Sequence, residues 1–367
     1  VVPGVPPTES APASHASGAG AGDDRRLAAE LRRLGLEAGL VAVGVASAEP
    51  FEVARDVLER RKAAGLHGGM QFTYRNPARS TDPARTLPSV RSLVVGALPY
   101  PVRTAPRPPG AQGRVARYAA DDHYARLRSA LGVVADRLRD EGFRAVVVAD
   151  DNALVDRAAA HRAGLGWFGR SANLLVPGRG SWVVLGSVLT DAALPPTPGP
   201  VPDGCGTCTR CETACPTGAI VGPGVVDARR CLAWLVQAEG DFPEAFREAL
   251  GDRVYGCDDC QEVCPPGRRR DGDASEAEGS PGGWVDLLGL LRAADEELLA
   301  AYGRWYLPGR DPRYLRRNAL VALGNVGSPD DPEVLGVVER YRTGGDALLA
   351  RHAAWAAARL AQRKARP

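Results

Sequence analysis

The spacing of eight cysteines constrains this chain more than any other feature. Cys205, Cys208, Cys211 and Cys215 read C-x2-C-x2-C-x3-C and are followed by Pro216. This run binds [4Fe-4S] clusters in pairs, its fourth thiolate crossing to the other cluster. A second run, Cys257, Cys260 and Cys264 before Pro265, keeps the tail of the pattern but has Val254 where its leading cysteine would stand. Cys231 is the one remaining thiol. Crossed ligation then predicts one cluster on Cys205, Cys208, Cys211 and Cys264, and another on Cys215, Cys231, Cys257 and Cys260. Paired C-x2-C units also suit tetrahedral zinc, and an even cysteine count suits disulfides. Cysteine triplets with a proline after each run favour iron-sulfur, and a chain read as cytoplasmic keeps its thiols reduced.

The rest of the chain is of ordinary soluble composition. It has 367 residues, 44% hydrophobic and 25% charged, with a net charge of +2, long enough for two or three domains. No apolar run has the length of a membrane span. The cations are almost all arginine, the only lysines being Lys62 and Lys364; coding bias explains that skew as well as RNA binding does. Residues 1–22 lack apolar periodicity and are expected to be disordered; they also lack the basic and apolar regions of a signal peptide, so a cytoplasmic location is expected. Apolar runs at Val41–Ser47, Ser92–Tyr100 and Ala145–Asp150 read as strands. They alternate with amphipathic helical stretches beginning at Arg25, Phe51 and His123, so residues 23–200 read as a mixed α/β domain. Residues 201–266 carry the cysteines as a bacterial two-cluster ferredoxin-like domain, and 267–283 form a polar, glycine-rich linker. Residues 284–367 show helical periodicity with a Gly-Ser-Pro-Asp turn, the pattern of a HEAT-like helical unit. The predicted class is α+β and multidomain.

Two clusters conduct electrons, so the N-terminal domain should hold what they reduce. It has no G-x-G-x-x-G after a strand, no P-loop and no H-E-x-x-H. Its densest patch runs from Ala149 to Leu175. Asp150 stands at a predicted strand end ahead of a Gly-rich turn, Gly164 to Gly169, where a general acid is rigidly placed. The alternative is that Asp150, Asp151 or Asn152 caps a helix beginning near Ala153. Gly166-Trp167-Phe168-Gly169 could equally be core packing beside a tight turn.

The order of that DxxxLVxRAAAxRAGLGWxG patch, a GSWxxLG strand at Gly180–Gly186, the cysteine pattern with GCDDCQEVCP, and a terminal RRNAxxALGN helix resembles the epoxyqueuosine reductase family over residues 25 to 365. That resemblance implies a cobalamin-binding catalytic domain and reduction of epoxyqueuosine to queuosine at the wobble position of tRNA. It implies Asp150 as proton donor with Arg157 beside it. Trp167, Gly169, Ser171 and Asn173 would line the corrin, Arg75 would contact it, and Asp258 would lie where the cluster segment approaches it. The chain departs from the family pattern in having Asp151 after the donor, which makes Asp151 a rival, and Arg170-Ser171 after GWxG. Ala233-Trp234-Leu235-Val236 after Cys231 likewise lacks two hydroxyls usual there.

Opening an epoxide to an alkene takes two electrons and two protons and releases water. Asp150 must therefore be protonated at working pH, through burial or the neighbouring Asp151. A tRNA partner needs positive charge, for which Arg268, Arg269, Arg270, Arg316 and Arg317 are the expected contacts, with Arg310 and Arg313 nearby. An unidentified low-potential electron donor and a monomeric state are also expected. Rival readings are a cobalamin and iron-sulfur reductase of a small molecule, of dehalogenase type, and a non-enzymatic electron carrier.

Overall fold

Strand signals at four apolar runs converge on one sheet. The structure, a computed structural model, describes residues 20–100, 105–268 and 283–365. The strands Ala42–Ser47, Ser92–Pro99, Val183–Thr190 and Ala145–Ala149 lie side by side in that order, every neighbouring pair antiparallel. Side chains alternate between the faces, as the two-residue period requires. Val94 and Leu98 enter one core with Leu31, Leu127, Leu131 and Val134. Leu93, Val95 and Ala97 enter the other with Phe51, Leu154, Ala159 and Ala160. The first face is covered by the helices Gly20–Glu37 and His123–Asp140, the second by Asp156–Arg162. Gly96 and Gly186 are register partners. A Cβ on either would meet Leu131 within 3.1 Å, so this glycine pair lets the long helix lie close on the sheet.

Two expectations about local structure change. The helix expected near Ala153 starts at Asp156, because the Asp151 carboxylate accepts the Ala153 N–H at 2.8 Å and makes a turn there instead. The helical pattern from Trp284 opens as a strand, Trp284–Asp286, followed by the helices Leu287–Arg292 and Asp295–Tyr302. That strand pairs antiparallel with Gln112–Val115, which also pairs in parallel with Arg253–Tyr255. Segments expected to form three separate units thus share one sheet. They also share one core, which runs from Val115 and Ala119 through Val254 and Tyr255 to Leu287, Leu315 and Leu320.

The tail contains the expected helix-turn-helix, Arg313–Val326 and Pro332–Arg342, packed under Ala347–Lys364. Asp331 and Asp346 cap the second and third helices through the N–H groups of Glu333 and Leu349. The placement of Arg316 and Arg317 corrects their reading as phosphate contacts. Arg316 is buried against Asp295 and the Ala293 carbonyl. Arg317 is fully buried and donates to the carbonyls of Leu235, Val236, Ala238 and Gly240. Neither guanidinium has a face left for RNA. Arg313 is held by Asp311 and Asp346. Arg269, Arg270 and the Arg268 side chain lie outside the described residues, as do the segment 1–19 and most of the expected linker. Among the described residues no helix is long and apolar enough to cross a membrane.

Candidate active site and cluster centre

All eight cysteines are present as thiols with no disulfide among them. Cys205, Cys208, Cys211 and Cys264 border one small cavity together with Arg170, Arg210 and Pro265. Burial pushes the Cys264 thiol up to about 11, with Cys205, Cys211 and Cys208 adding to the rise. Burial likewise raises Cys257 to about 12 and raises Cys260 well above its ordinary value, both with Cys231 as a neighbour, and raises Cys231 with Cys215 as a neighbour. Cys260 also has Cys211 of the first run as a neighbour, so the two cysteine runs meet. At Cys215 burial is outweighed by the N–H groups of Thr217, Ala219 and Ile220, which hold it down; Ala219 N–H reaches Sγ at 3.1 Å. Grouped thiols that the protein alone resists ionising suit cationic iron, which draws off the protons. Among the described residues no three His, Cys, Asp or Glu side chains converge as a single-ion site would need.

The second set is clamped to the catalytic sheet. Asp258, beside Cys257, accepts the Arg117 main-chain N–H at 2.9 Å, and its other oxygen accepts Gln261 Nε2 at 3.2 Å. Gln261 Oε1 in turn receives the hydroxyls of Ser181 and Tyr100 at 2.9 and 3.3 Å. Asp258 therefore tethers the cluster segment to Arg117 and, through Gln261, to Ser181 and Tyr100. On the other side of the set, Trp234 Nε1 donates to the Gly68 carbonyl at 2.8 Å and Arg61 to that of Gly224 at 2.7 Å. The indole that stands in place of the family's hydroxyls thus ties the Cys231 helix to the loop ahead of Arg75. Gly180, at φ +64°, sits so close to Gly267 that a Cβ would meet its backbone at 2.7 Å.

Asp150 follows directly on the strand Ala145–Ala149 and adopts φ +55°, a left-handed conformation costly for a residue with a Cβ. It keeps an exposed face, yet burial raises its carboxyl above the usual range; Arg128 opposes and Asp151 assists the rise. Asp151, its rival, turns one oxygen to the Ala153 N–H. Ser80 Oγ donates to the Asn152 carbonyl at 2.7 Å, which joins this loop to the short helix Pro77–Ser80, two residues after the exposed Arg75. Arg157 donates to the Ala172 carbonyl at 3.2 Å, and its charge reaches both Asp156 and Cys231.

Trp167, Gly169, Ser171 and Asn173 form the hairpin Trp167–Phe168 and Leu174–Leu175 with its connection. Gly169 N–H donates to the Asn173 carbonyl at 2.8 Å, and a Cβ there would strike Leu175 at 2.8 Å. Asn173 Nδ2 lies 4.0 Å from Cys260 Sγ, so this hairpin touches the second cysteine set. Trp167 is buried with Nε1 unpartnered, as are Asn152 Oδ1 and Asp156 Oδ1. Orphaned polar atoms on this hairpin and on the segment after Asp150 fit a polar cofactor. Sequence reasoning missed Arg117 and Asp156. Asp156 lay inside the motif, one residue before Arg157, whereas Arg117 carried no local signal.

Residues 204–267 match the family of 4Fe-4S double cluster binding domains. Epoxyqueuosine reductase of Bacillus cereus is 33% identical over 313 residues, 82% of this chain and 81% of that protein. The Escherichia coli enzyme is 35% identical over 356 residues, 93% of this chain and 92% of its own. A crystal structure of epoxyqueuosine reductase with an epoxyqueuosine-modified tRNA-Tyr stem loop superposes with a TM-score of 0.82 at 31% identity, covering 91% of this chain and 90% of that one. A Bacillus subtilis structure with its aspartate-bearing catalytic loop swung out of the active site superposes with a TM-score of 0.81. With clusters, fold and relatives in agreement across most of its length, this chain belongs to the epoxyqueuosine reductase family.

Proposed function

We propose that the chain reduces epoxyqueuosine to queuosine in tRNA, using cobalamin held between the Asp150 loop and the second cluster. The observation that carries this reading is the hairpin Trp167–Leu175, which reaches Cys260 through Asn173 and, through Ala172, Arg157 on the helix Asp156–Arg162 that follows the Asp150 loop. Trp167, Gly169, Ser171 and Asn173 would hold the cofactor, with Arg157 and Arg75 at its edge. Bound there, cobalamin supplies a low-potential cobalt centre able to pass electrons to the epoxide carbon.

The residues of the chain supply position and protons. Epoxide plus two electrons and two protons gives alkene plus water. Clusters held by the two cysteine sets would supply electrons from a low-potential donor, at potentials that the surrounding charges and hydrogen bonds would tune. Asp150, whose carboxyl burial raises above the usual range, donates to the oxygen as its bond to carbon breaks. The modified nucleoside is splayed from the anticodon loop, the usual way single-stranded RNA is read. The stem-loop relative and the family membership support the RNA substrate.

The test is anaerobic reconstitution with iron, sulfide and cobalamin, followed by nucleoside analysis of epoxyqueuosine-tRNA. Conversion should require both cobalamin and a reductant. Fully loaded protein that yields no queuosine would overturn the reading.

A further inference from the structure

Tyr306 is the most exposed aromatic side chain among the described residues, at 51%, yet its main chain is fixed. Its N–H donates to the Tyr255 hydroxyl at 2.8 Å, and that hydroxyl donates in turn to its carbonyl at 3.4 Å. The residue before it, Trp305, is buried, stacks on the Tyr255 ring at 4.5 Å between centroids and donates from Nε1 to the Ala119 carbonyl at 2.8 Å. A large ring left in water on a fixed backbone has little freedom to lose when a ligand stacks on it. We propose that Tyr306, with Arg304 and Arg310 beside it, is a stacking platform for an anticodon-loop base next to the modified nucleoside. This rests on tRNA as the substrate and adds where its loop is held.

The flanking charges suit a polyanion. Arg304 donates to the carbonyls of Ala301, Ala119 and Ala120, and Arg310 to that of Gly303 at 3.4 Å. Neither pairs with a carboxylate among the described residues. Asp121 and Asp122, which follow Ala120, turn to the N–H groups of Asp122 and Ala125, and Asp311, which follows Arg310, holds Arg313. The segment thus offers a bare ring between two cations that no carboxylate neutralises, the combination that binds single-stranded nucleic acid through phosphate contacts and base stacking.

The fold brings this platform to the Asp150 end of the catalytic sheet. Ala119 and Ala120, which the Arg304 and Trp305 side chains grip, lead into the helix His123–Asp140. That helix runs opposite to the strand Ala145–Ala149. Near its end Arg139 reaches the Ala145 carbonyl at 2.7 Å, whereas Leu127 near its start lies with Ala149 around Gly186, where a Cβ would be 3.1 and 3.0 Å from them. The helix start and the Asp150 turn therefore share one end of the sheet. A nucleoside splayed towards Asp150 leaves its neighbours in the RNA unstacked over this end, and a fixed exposed ring replaces the stacking that they lose.

The experiment measures binding of cluster-loaded protein to an epoxyqueuosine-bearing anticodon stem loop. Tyr306→Ala should weaken binding about tenfold to a hundredfold, the range of one base–aromatic stack, while Tyr306→Phe binds as the wild type does. Arg310→Gln should lower the slope of log affinity against log salt by about one unit, as loss of a phosphate contact does. Abasic substitutions walked through the loop identify the base: removing the stacked one should weaken the wild type and leave Tyr306→Ala unaffected. Wild-type affinity in Tyr306→Ala, or abasic penalties in that variant equal to the wild type's at every position, would overturn the proposal. If Tyr306→Ala fails to load clusters, Tyr306→Leu, apolar but without a π face, decides: affinity equal to that of Tyr306→Phe rejects it. Wild-type protein that binds no stem loop would instead reject tRNA as the substrate, a distinguishable result.

Discussion

Arg117 of the catalytic half closes on Asp258 of the cluster segment through both main chain and side chain: its N–H reaches Oδ2 at 2.9 Å and its Nη1 the same oxygen at 3.4 Å. The guanidinium also pairs with Glu262 at 3.0 Å and lies 4.7 Å from the centroid of the Trp182 ring. Asp258 is 7% exposed, so removing it leaves the Arg117 N–H unpaired while Glu262 still holds the guanidinium. Asp258→Ala should cost about 2 kcal/mol, read as a lower midpoint of anaerobic thermal unfolding and a broadened electron paramagnetic resonance signal of the second cluster. An unchanged midpoint would show that Arg117 finds its partner elsewhere.

Which parts of this architecture were legible in sequence follows from the range of the interactions. Three of the four central strands announce themselves because each is a short apolar run with glycine or polar residues at its ends, whereas the fourth, Val183–Thr190, was marked only by the Gly180–Gly186 motif and lies further along. Asp150 was legible as a carboxyl at a strand end, since the strand itself was. The helix start at Asp156 was not, because one side-chain hydrogen bond from Asp151 decides it. Trp284–Asp286 has helical periodicity yet becomes a strand, since Gln112–Val115 offers an open edge. Arg117 and Asp258 are 141 residues apart, and no local pattern encodes their meeting. Arg317 reads as a surface charge until the carbonyls that receive it are known.

Cys231 stands far from either cysteine run in sequence, yet it neighbours Cys215, Cys257 and Cys260. Replacing it by serine should strip the second cluster and spare the first. Iron content should fall from about eight to about four per chain by the ligand count, with turnover lost and the first cluster's signal retained. Retention of the full iron content would show that another group replaces this thiolate.

His352 makes folding sensitive to acid. Fully buried in the last helix, it accepts the Phe242 N–H at Nε2 (3.1 Å) and donates from Nδ1 to the Leu348 carbonyl (2.7 Å), which fixes the neutral ring. Burial pushes it down to about 4 from an ordinary 6.5; Arg247 and Arg317 add to the fall, and Asp241 opposes it. Because the unfolded chain takes up a proton that the folded one refuses, stability is lost as pH falls from about 6.5 towards about 4, by about 3 kcal/mol in all. His352→Gln should flatten unfolding midpoints across that interval, whatever its effect at neutral pH. An equally steep acid loss in the variant would place the sensitivity in another group.

Arg317 links the tail to the second cluster. Its guanidinium gives Nη1 to Ala238 and Gly240, and Nη2 to Leu235, Val236 and the Asn318 side chain. Two of these carbonyls end the helix Leu232–Leu235, which begins directly after Cys231, so an arginine from the tail caps the helix that carries a cluster ligand. Burial holds the guanidinium down to about 10, still charged at neutral pH. Arg317→Ala removes every one of these donors and should cost about 3 kcal/mol or more, with loss of the second cluster's signal before the first. Lysine, a single point charge, cannot reproduce the fork and should rescue only in part. A phosphate-contacting arginine would behave differently: its removal lowers the salt dependence of tRNA binding by about one unit of slope and leaves the clusters alone. Measuring both on one Arg317→Ala preparation separates the roles. A lost cluster signal with an unchanged salt slope is expected, and the reverse pattern would return Arg317 to the RNA.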